Sequence, residues 1–166
     1  MSDSILMKIG DGSKISGETL IKGYESHIEC LSFSHGVSMQ MTSDVSNTKR
    51  TSGKPNFQDF VISKYMDKGT PSYNQYCTQS TDLGDVTITI LQNDQGALIE
   101  MMKYTLKNTL VASVSVGGGG GGVPSETITF SYSAIAWDYK PQKTAGSAAG
   151  TASATWDLAA NAAAAT

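Results

Sequence analysis

Alternation of apolar and polar residues with a period of two is the feature of this sequence that most constrains its fold. Successive side chains of a β-strand point to opposite faces of a sheet, so such alternation predicts strands with one buried face. The pattern runs through residues 31–41, 86–90 and 128–134. Residues 102–107 and 110–116 continue it on either side of a polar break. The chain is therefore predicted to be mainly β.

The alternation changes phase at two places. Apolar residues hold even positions up to Cys30 and odd positions from Leu31, and a second change occurs at Ala134–Ile135. A β-bulge is the usual device that shifts the phase of a strand and bends it. Long bent strands favour a barrel or a two-sheet sandwich.

One segment lacks the alternation and is predicted to be helical. Residues 70–80 open with Thr70 and Pro71, which suit the cap and the first position of a helix. The predicted fold is thus mainly β, a two-sheet β-barrel of about eight strands flanked by one short α-helix.

Two segments have low complexity. Residues 117–122 are consecutive glycines between two predicted strands, which predicts a mobile hairpin tip. Residues 143–166 consist largely of Ala, Thr, Ser and Gly. We interpret 1–142 as one β-barrel domain and 143–166 as a flexible C-terminal tail, in which 157–165 could form a short helix on contact with a partner.

Composition limits the classes of partner and compartment. The sequence has 12 Lys+Arg against 15 Asp+Glu, a formal net charge of -3, and no basic stripe, which argues against nucleic acid and against anionic membrane surfaces as partners. No apolar run approaches the roughly 20 residues needed to span a bilayer. The N-terminus lacks the pattern of a secretory signal peptide. Cys30 and Cys77 are expected to be reduced thiols of a protein folded in the cytoplasm, Cys30 in the core and Cys77 exposed.

No motif predicts catalysis, and no catalytic, cofactor-binding or metal-binding residue is assigned. The glycine run is followed by Val-Pro rather than the Lys-Ser/Thr of a phosphate-binding loop. His27 and His35 lie eight residues apart on one predicted strand, too far to share a metal. A nucleophile elbow is absent and the carboxylates are scattered. We expect no enzyme activity and no cofactor.

The segment 44–54 is the most charged part of the sequence. It joins two strand-like stretches and carries Arg50 and Lys54. Composition favours a solvated loop, and the alternative is an arm whose cations pair with carboxylates of another subunit.

Several stretches together resemble the haemolysin-coregulated protein (Hcp) family, the inner-tube subunits of bacterial type VI secretion systems. They are 28–37, 50–60, 64–71, 103–107, 111–115 and 131–142, in order and with compatible spacing. The resemblance covers about 5–142 and implies a homohexameric ring, rings stacked into a hollow tube, a surrounding sheath, a tip spike protein and small effector proteins in the lumen. It also implies assembly in the cytoplasm followed by export through the type VI system without a signal peptide.

The resemblance gives the 44–54 segment a role as an inter-subunit loop and so reverses the preference from composition. The subunit-interface residues that it implies are Asp44, Val45, Asn47, Lys49, Arg50, Thr51 and Lys54. The length of the glycine run and the residues after Gln142 depart from the family pattern.

Two rival functions remain at the level of sequence. A monomeric carbohydrate- or peptide-binding β-sandwich needs exposed aromatic residues that converge on a site. Tyr73, Tyr76, Trp137 and Trp156 are candidates for such a site. A hydrolase on a β scaffold is the other rival, and it lacks a recognisable nucleophile or metal set.

Overall fold

A computed structural model describes residues 3–43, 45–46, 53–94, 96–141 and 150–163. Twelve strands and one helix lie in this part of the chain. In chain order they are β1 (Ser4–Ile9), β2 (Ile28–Cys30), β3 (Ser32–Ser34), β4 (Val37–Ser38), β5 (Asn56–Phe57), β6 (Phe60–Tyr65), α1 (Thr70–Gln79), β7 (Val86–Asp94), β8 (Ala97–Lys107), β9 (Leu110–Gly117), β10 (Ser125–Ser131), β11 (Ala134–Tyr139) and β12 (Ala152–Asp157).

The strands form two main antiparallel sheets and one small pair. The larger sheet has the order β12-β11-β8-β7-β1-β2, the smaller has the order β3-β6-β10-β9, and β4 pairs with β5. The prediction of a mainly β fold with one short helix is confirmed. Each sheet keeps two edge strands within the described residues, so the predicted closure into a barrel is wrong.

The core forms where the alternating strands turn their apolar faces inward. Ile88 and Leu106 come from the larger sheet, Ile62, Ile128 and Phe130 come from the smaller one, and all five are fully buried. Their burial accounts for the sequence pattern, because threonine and serine occupy the intervening positions of the same strands. Burial of such side chains contributes roughly 1.5–3 kcal/mol each.

The phase changes predicted as bulges are places where the chain passes from one sheet to the other. Cys30 ends β2 in the larger sheet, and the Leu31 N–H donates to Ser63 O at 2.7 Å beside β3 in the smaller sheet. Likewise β10 ends at Ser131 and β11 begins at Ala134 in the other sheet. The observed register shifts lie instead at Thr129/Phe130 and Ile90/Leu91.

Helix α1 occupies the predicted segment, with its first residue shifted by one. Gly69 is the cap and Thr70 is the first helical residue, so the prediction of Thr70 as a side-chain cap is wrong. The helix ends at Gln79, and its C-cap Ser80 has a left-handed backbone with φ 52°. Tyr73 is fully buried and fixes the helix to the core.

The tail expected at 143–166 is in part a strand. β12 pairs with β11 along its whole length, from Ala134↔Asp157 to Tyr139↔Ala152. Trp156 and Leu158 pack against the core. Ala152–Asp157 is thus a paired edge strand of the larger sheet. Residues 142–149 and 164–166 lie outside the described residues.

Two other local predictions can be compared with the structure. The glycine run connects β9 to β10 as a hairpin, with Gly117 paired to Ser125, as predicted. The strand predicted at 31–41 is interrupted: only β3 and β4 form within it, and Val37, Met39 and Met41 are exposed rather than buried. No helix of the described residues has the length and apolarity required to cross a membrane.

Candidate functional site

The predicted interface residues belong to the connection between β4 and β5. Val45 and Lys54 are described and both are exposed, Val45 to 81%. Asp44, Asn47, Lys49, Arg50 and Thr51 lie outside the described residues. The structure therefore describes the two ends of the loop and Val45 within it.

The base of this loop is fixed by a short ladder and by aromatic packing. Val37 pairs with Phe57, and the Gln58 N–H donates to Gly36 O at 2.9 Å. The Phe57 ring stacks on Trp137 with centroids 6.1 Å apart and on Trp156 of β12 at 6.3 Å. Such contacts contribute about 0.5–1.5 kcal/mol each beyond the area that they bury. Strand β12 thus helps to position the loop.

His35 continues this aromatic row into the interior. Its ring stacks on Phe60 at 5.4 Å and contacts Tyr104 at 6.1 Å. The Tyr132 hydroxyl donates to Gln58 O at 2.9 Å, so its 3.3 Å contact with His35 Nδ1 is one in which the ring N–H donates. His35 Nε2 is buried with no partner among the described residues. Burial lowers the pKa of His35 below its ordinary value, although a backbone hydrogen bond with Gln58 opposes this effect.

Exposed apolar side chains lead into the loop. Val37 is 49% exposed and Met41 is 60% exposed, and Met39 lies between them. Alternation in the sequence had predicted a buried face here. The same alternation would suit a surface that becomes buried in an assembly, which a single sequence does not distinguish from a core strand.

A buried ionic cluster lies at the opposite end of β6, and sequence analysis did not find it. Lys64 and Glu126 are both fully buried, with Lys64 Nζ 2.5 Å from Glu126 Oε1 and 3.0 Å from Asp67 Oδ2. The Thr70 hydroxyl donates to Glu126 Oε1 at 3.1 Å and ties α1 to the cluster. The Lys64 ammonium also lies 5.4 Å from the Tyr73 ring centroid. Lys64 is in phase with the buried Phe60 and Ile62. Glu126 is likewise in phase with Ile128 and Phe130, so the alternation itself was a signal of burial that sequence analysis did not use.

An open groove of about 540 Å³ adjoins this cluster. It is lined by Glu18, Leu20 and Ile21 from one segment and by Tyr65, Met66 and Asp67 from another. The Leu20 side chain is 96% exposed. Residues 18–21 have no strand or helix periodicity, so no pattern in the sequence singles them out.

The residues considered for chemistry do not form a reactive site in the described part of the chain. No group of three or more His, Cys, Asp or Glu side chains there is close enough to hold a metal ion. Cys30 and Cys77 are free and both pack partly against the core, so Cys77 is less exposed than expected. Burial raises the pKa of the Cys30 thiol to about 12, which leaves it protonated at neutral pH.

The aromatic residues that a monomeric binding module would require do not converge on an open site. Tyr73 is fully buried, and Tyr76 packs partly against the core. Trp137 and Trp156 both stack on the partly buried Phe57 ring.

Comparison with known proteins gives consistent matches. The family model described as "Type VI secretion system effector, Hcp" matches residues 6–139. Protein hcp1 of Pseudomonas aeruginosa is 31% identical over 147 residues, which span 88% of this chain and 88% of that protein. The solved structure of Hcp1 from Salmonella typhimurium has a TM-score of 0.79 and 25% identity, covering 98% of this chain and 99% of that one. A structure described as that of a type six secretion system protein has a TM-score of 0.88 at 24% identity, with 98% and 99% covered, and shows the shared fold.

Proposed function

The chain belongs to the Hcp family of type VI secretion system proteins, and from this membership we propose that it is a tube subunit, of which six copies close into a ring and the rings stack into a hollow tube. The family is one of structural, secreted tube proteins rather than of enzymes. The chain then acts by assembly, without catalysis or a cofactor.

Exposed apolar residues around the β4–β5 connection carry the proposal of self-assembly. Val37, Met39, Met41 and Val45 are all exposed within a short length of chain. Monomeric proteins rarely expose contiguous apolar surface without a partner for it. A neighbouring copy is the partner that membership of a tube-protein family supports best.

Ring closure requires a heterologous contact, in which one patch of a subunit meets a different patch of the next. The 44–54 loop, with Asp44, Val45, Asn47, Lys49, Arg50, Thr51 and Lys54, is our candidate for one such patch. Its exposed position at Val45 and Lys54 is compatible with that role.

The further partners follow from the same proposal. The tube would be surrounded by a sheath, carry a spike protein at its tip and hold small effector proteins in its lumen. The subunit would assemble in the cytoplasm and leave the cell through the type VI system, whereas nucleic acid and membrane are not partners. The net charge of -3 agrees with this exclusion.

Mass in solution tests the proposal directly. Light scattering after size-exclusion chromatography should give about six times the 17.5 kDa of one chain. A mass of 17.5 kDa at all accessible concentrations would overturn the ring and return a monomeric binding module to consideration.

A further inference from the structure

We propose that His35 holds the β4–β5 pair against the two main sheets, and that protonation of its ring in mild acid releases this pair while the main sheets stay folded. His35 is then an acid-sensitive device built into the subunit. It goes beyond the proposed tube function and does not depend on it. The position of the ring, its hydrogen bonds and the small size of the β4–β5 pair support the proposal.

The His35 ring lies where the β4–β5 pair meets both main sheets. It stacks on Phe60 of the smaller sheet with centroids 5.4 Å apart. It also contacts Tyr104 and Trp137 of the larger sheet at 6.1 and 6.3 Å. Strand β4 begins at Val37, two residues after this ring. The contacts of His35 therefore fix the start of β4.

One nitrogen of the ring has a partner and the other has none. His35 Nδ1 carries the proton, because the Tyr132 hydroxyl 3.3 Å away already donates to Gln58 O. Nε2 then holds the free lone pair, and it is buried with no partner among the described residues. A second proton enters at Nε2, where the new N–H finds no acceptor in this part of the structure. A buried charged donor without an acceptor is strongly unfavourable.

The side chains packed on the ring do not offset a positive charge. Tyr104 and Tyr132 are the titratable ones, and burial raises the pKa of both phenols, so they stay neutral in acid. Aromatic faces attract a cation. Burial nevertheless lowers the pKa of His35 below its ordinary value, although a backbone hydrogen bond with Gln58 opposes this effect. Charging the ring therefore favours a state in which Nε2 reaches water.

The charged residues of the neighbouring elements lie away from the ring. Asp59 precedes β6 and is exposed, and its charge acts on the Tyr132 hydroxyl. Lys103 of β8 and Asp138 of β11 are paired across their strands. Each is next in sequence to a residue that contacts His35, so each points to the opposite face of the larger sheet. No carboxylate of the described residues is thus placed to neutralise a protonated His35.

The β4–β5 pair has few other contacts to hold it. Each strand has two residues, and their ladder consists of Val37↔Phe57 and Ser38↔Asn56 in a sheet of its own. By contrast, β6 and β10 pair over six positions within the smaller sheet. A short and partly exposed ladder opens at a lower free-energy cost than the long strands of a core. Loss of the His35 contacts is therefore expected to open the β4–β5 pair first.

Linkage sets the direction of the pH effect. In the open state the His35 ring is in water and titrates near 6.5, whereas burial lowers its pKa in the closed state. Protons therefore bind the open state first. Opening is disfavoured above pH 6.5 and becomes more favourable as the pH falls below it, by at most about tenfold per pH unit for one proton.

Hydrogen exchange measures this opening. The full-length chain is labelled at about pH 7.5 and about pH 5.5, at a concentration where light scattering gives the same mass at both. The reporter is the Gln58 amide, which donates to Gly36 O at 2.9 Å, and the control is the Leu83 amide, which donates to Thr109 O at 2.9 Å. After correction for intrinsic exchange, the protection factor of Gln58 should fall by about three- to tenfold in acid, and that of Leu83 should stay within about twofold.

Variants of the two histidines identify the titrating group. His35→Phe keeps a ring against Phe60, and the protection of Gln58 should then no longer depend on pH. His35→Gln, which keeps an amide donor near the Tyr132 hydroxyl, takes its place if circular dichroism shows that His35→Phe is not folded. His27→Gln is the matched control, because His27 Nδ1 is also buried with no partner among the described residues, and it should retain the fall in protection.

Three exchange results would overturn the proposal. Protection of Gln58 that does not change with pH in the unchanged chain would mean that the β4–β5 pair is not acid-sensitive. A fall that persists when His35 is replaced would assign the effect to another group. Equal falls at Gln58 and Leu83 would mean that the whole domain opens rather than the β4–β5 pair.

Tryptophan fluorescence gives a second test. Trp137 and Trp156 are the only tryptophans of the chain, and both stack on Phe57 of β5. Release of β5 exposes their rings to water, so the emission should move to longer wavelength with a midpoint below pH 6.5. This change should be absent in His35→Phe. A fall in intensity without a change in wavelength would mean that the protonated ring quenches Trp137 in a closed β4–β5 pair, which would also overturn the proposal.

Discussion

At the scale of single residues, the Lys64 cluster decides how α1 is held on the smaller sheet. Lys64 and Glu126 are fully buried partners from neighbouring strands β6 and β10, and Thr70 brings the first turn of the helix to the same carboxylate. Removing both charges of a buried pair costs little, whereas removing one leaves the other unpaired in a poorly solvated place. The cluster therefore specifies one arrangement of helix and sheet more than it adds net stability.

Replacing one member of this pair should be far more damaging than replacing both. Lys64→Met should lower the free energy of unfolding by about 3–5 kcal/mol, because Glu126 is left buried without its cation. The double variant Lys64→Met/Glu126→Met should recover most of that loss. The free energies of unfolding are measured by urea denaturation. Lys107→Met serves as the control: it breaks the half-exposed pair with Asp85 and should lower the free energy of unfolding by less than about 1 kcal/mol. A double variant no more stable than Lys64→Met would contradict the argument.

His35 should make stability fall in mild acid. Burial lowers the pKa of His35 in the folded protein, whereas the ring titrates near 6.5 in the unfolded chain. Acid then protonates the unfolded chain first, so the contribution of His35 is complete above pH 6.5 and is lost as the pH falls below it. Tyr104 and Tyr132, the titratable groups packed on the ring, have pKa values raised by burial and stay neutral throughout.

The comparison is between the unchanged chain and His35→Phe, which keeps a ring against Phe60 but does not titrate. Below pH 6.5 the free energy of unfolding of the unchanged chain should fall more steeply, by at most about 1.4 kcal/mol per pH unit for one proton. His27→Gln controls for the loss of a histidine as such. Parallel pH profiles for the unchanged chain and His35→Phe would rule out this role.

At the scale of elements, sequence predicted the strands better than their partners. Alternation identified β7 and β10, because apolar residues and threonine alternate in both sequences, although Thr89 of β7 is itself buried. In a sequence, a change of phase looks the same whether the strand has a bulge or the chain passes from one sheet to the other. The crossings at Leu31 and at 132–133 therefore resemble bulges in the sequence. β12 was missed because alanine-rich sequence has little strand propensity and its order comes from pairing with β11. The open groove was missed for a related reason, since it joins residues 18–21 to residues 65–67.

Strand β12 should therefore be required for a stable fold. A chain that ends at Gln142 loses the edge strand of the larger sheet and the Trp156 ring that stacks on Phe57. Loss of a packed Trp contact alone costs on the order of 3 kcal/mol, so the truncated chain should unfold at clearly lower urea concentration. A chain ending at Ala163 keeps β12 and should match the full-length midpoint. Equal midpoints for both truncations would mean that β12 does not stabilise the domain.

At the scale of the whole molecule, assembly depends on how charge is distributed rather than on its sum. A net charge of -3 would by itself make copies repel weakly, but three of the cations are gathered in the 44–54 loop. Exposed apolar residues beside that loop supply the area that a contact must bury. A surface of this kind is expected to bind more weakly as the ionic strength rises, because salt screens exposed charges over about 10 Å at 0.1 M.

Reversing both cations that the sequence singled out, Arg50→Glu/Lys54→Glu, should impair assembly and leave the fold of the subunit intact. The loop would then carry two glutamates in place of Arg50 and Lys54. Carboxylates of the neighbouring copy, which attract the two cations, would repel these glutamates. Light scattering should show a shift toward the mass of one chain, 17.5 kDa, while the urea midpoint changes by less than the equivalent of about 0.5 kcal/mol, as usual for surface substitutions. Reversal of two lysines away from the loop, Lys8→Glu/Lys22→Glu, introduces the same change in net charge. If both double variants assemble like the unchanged chain, the 44–54 loop is not an interface; if both fail alike, net charge rather than the loop controls assembly.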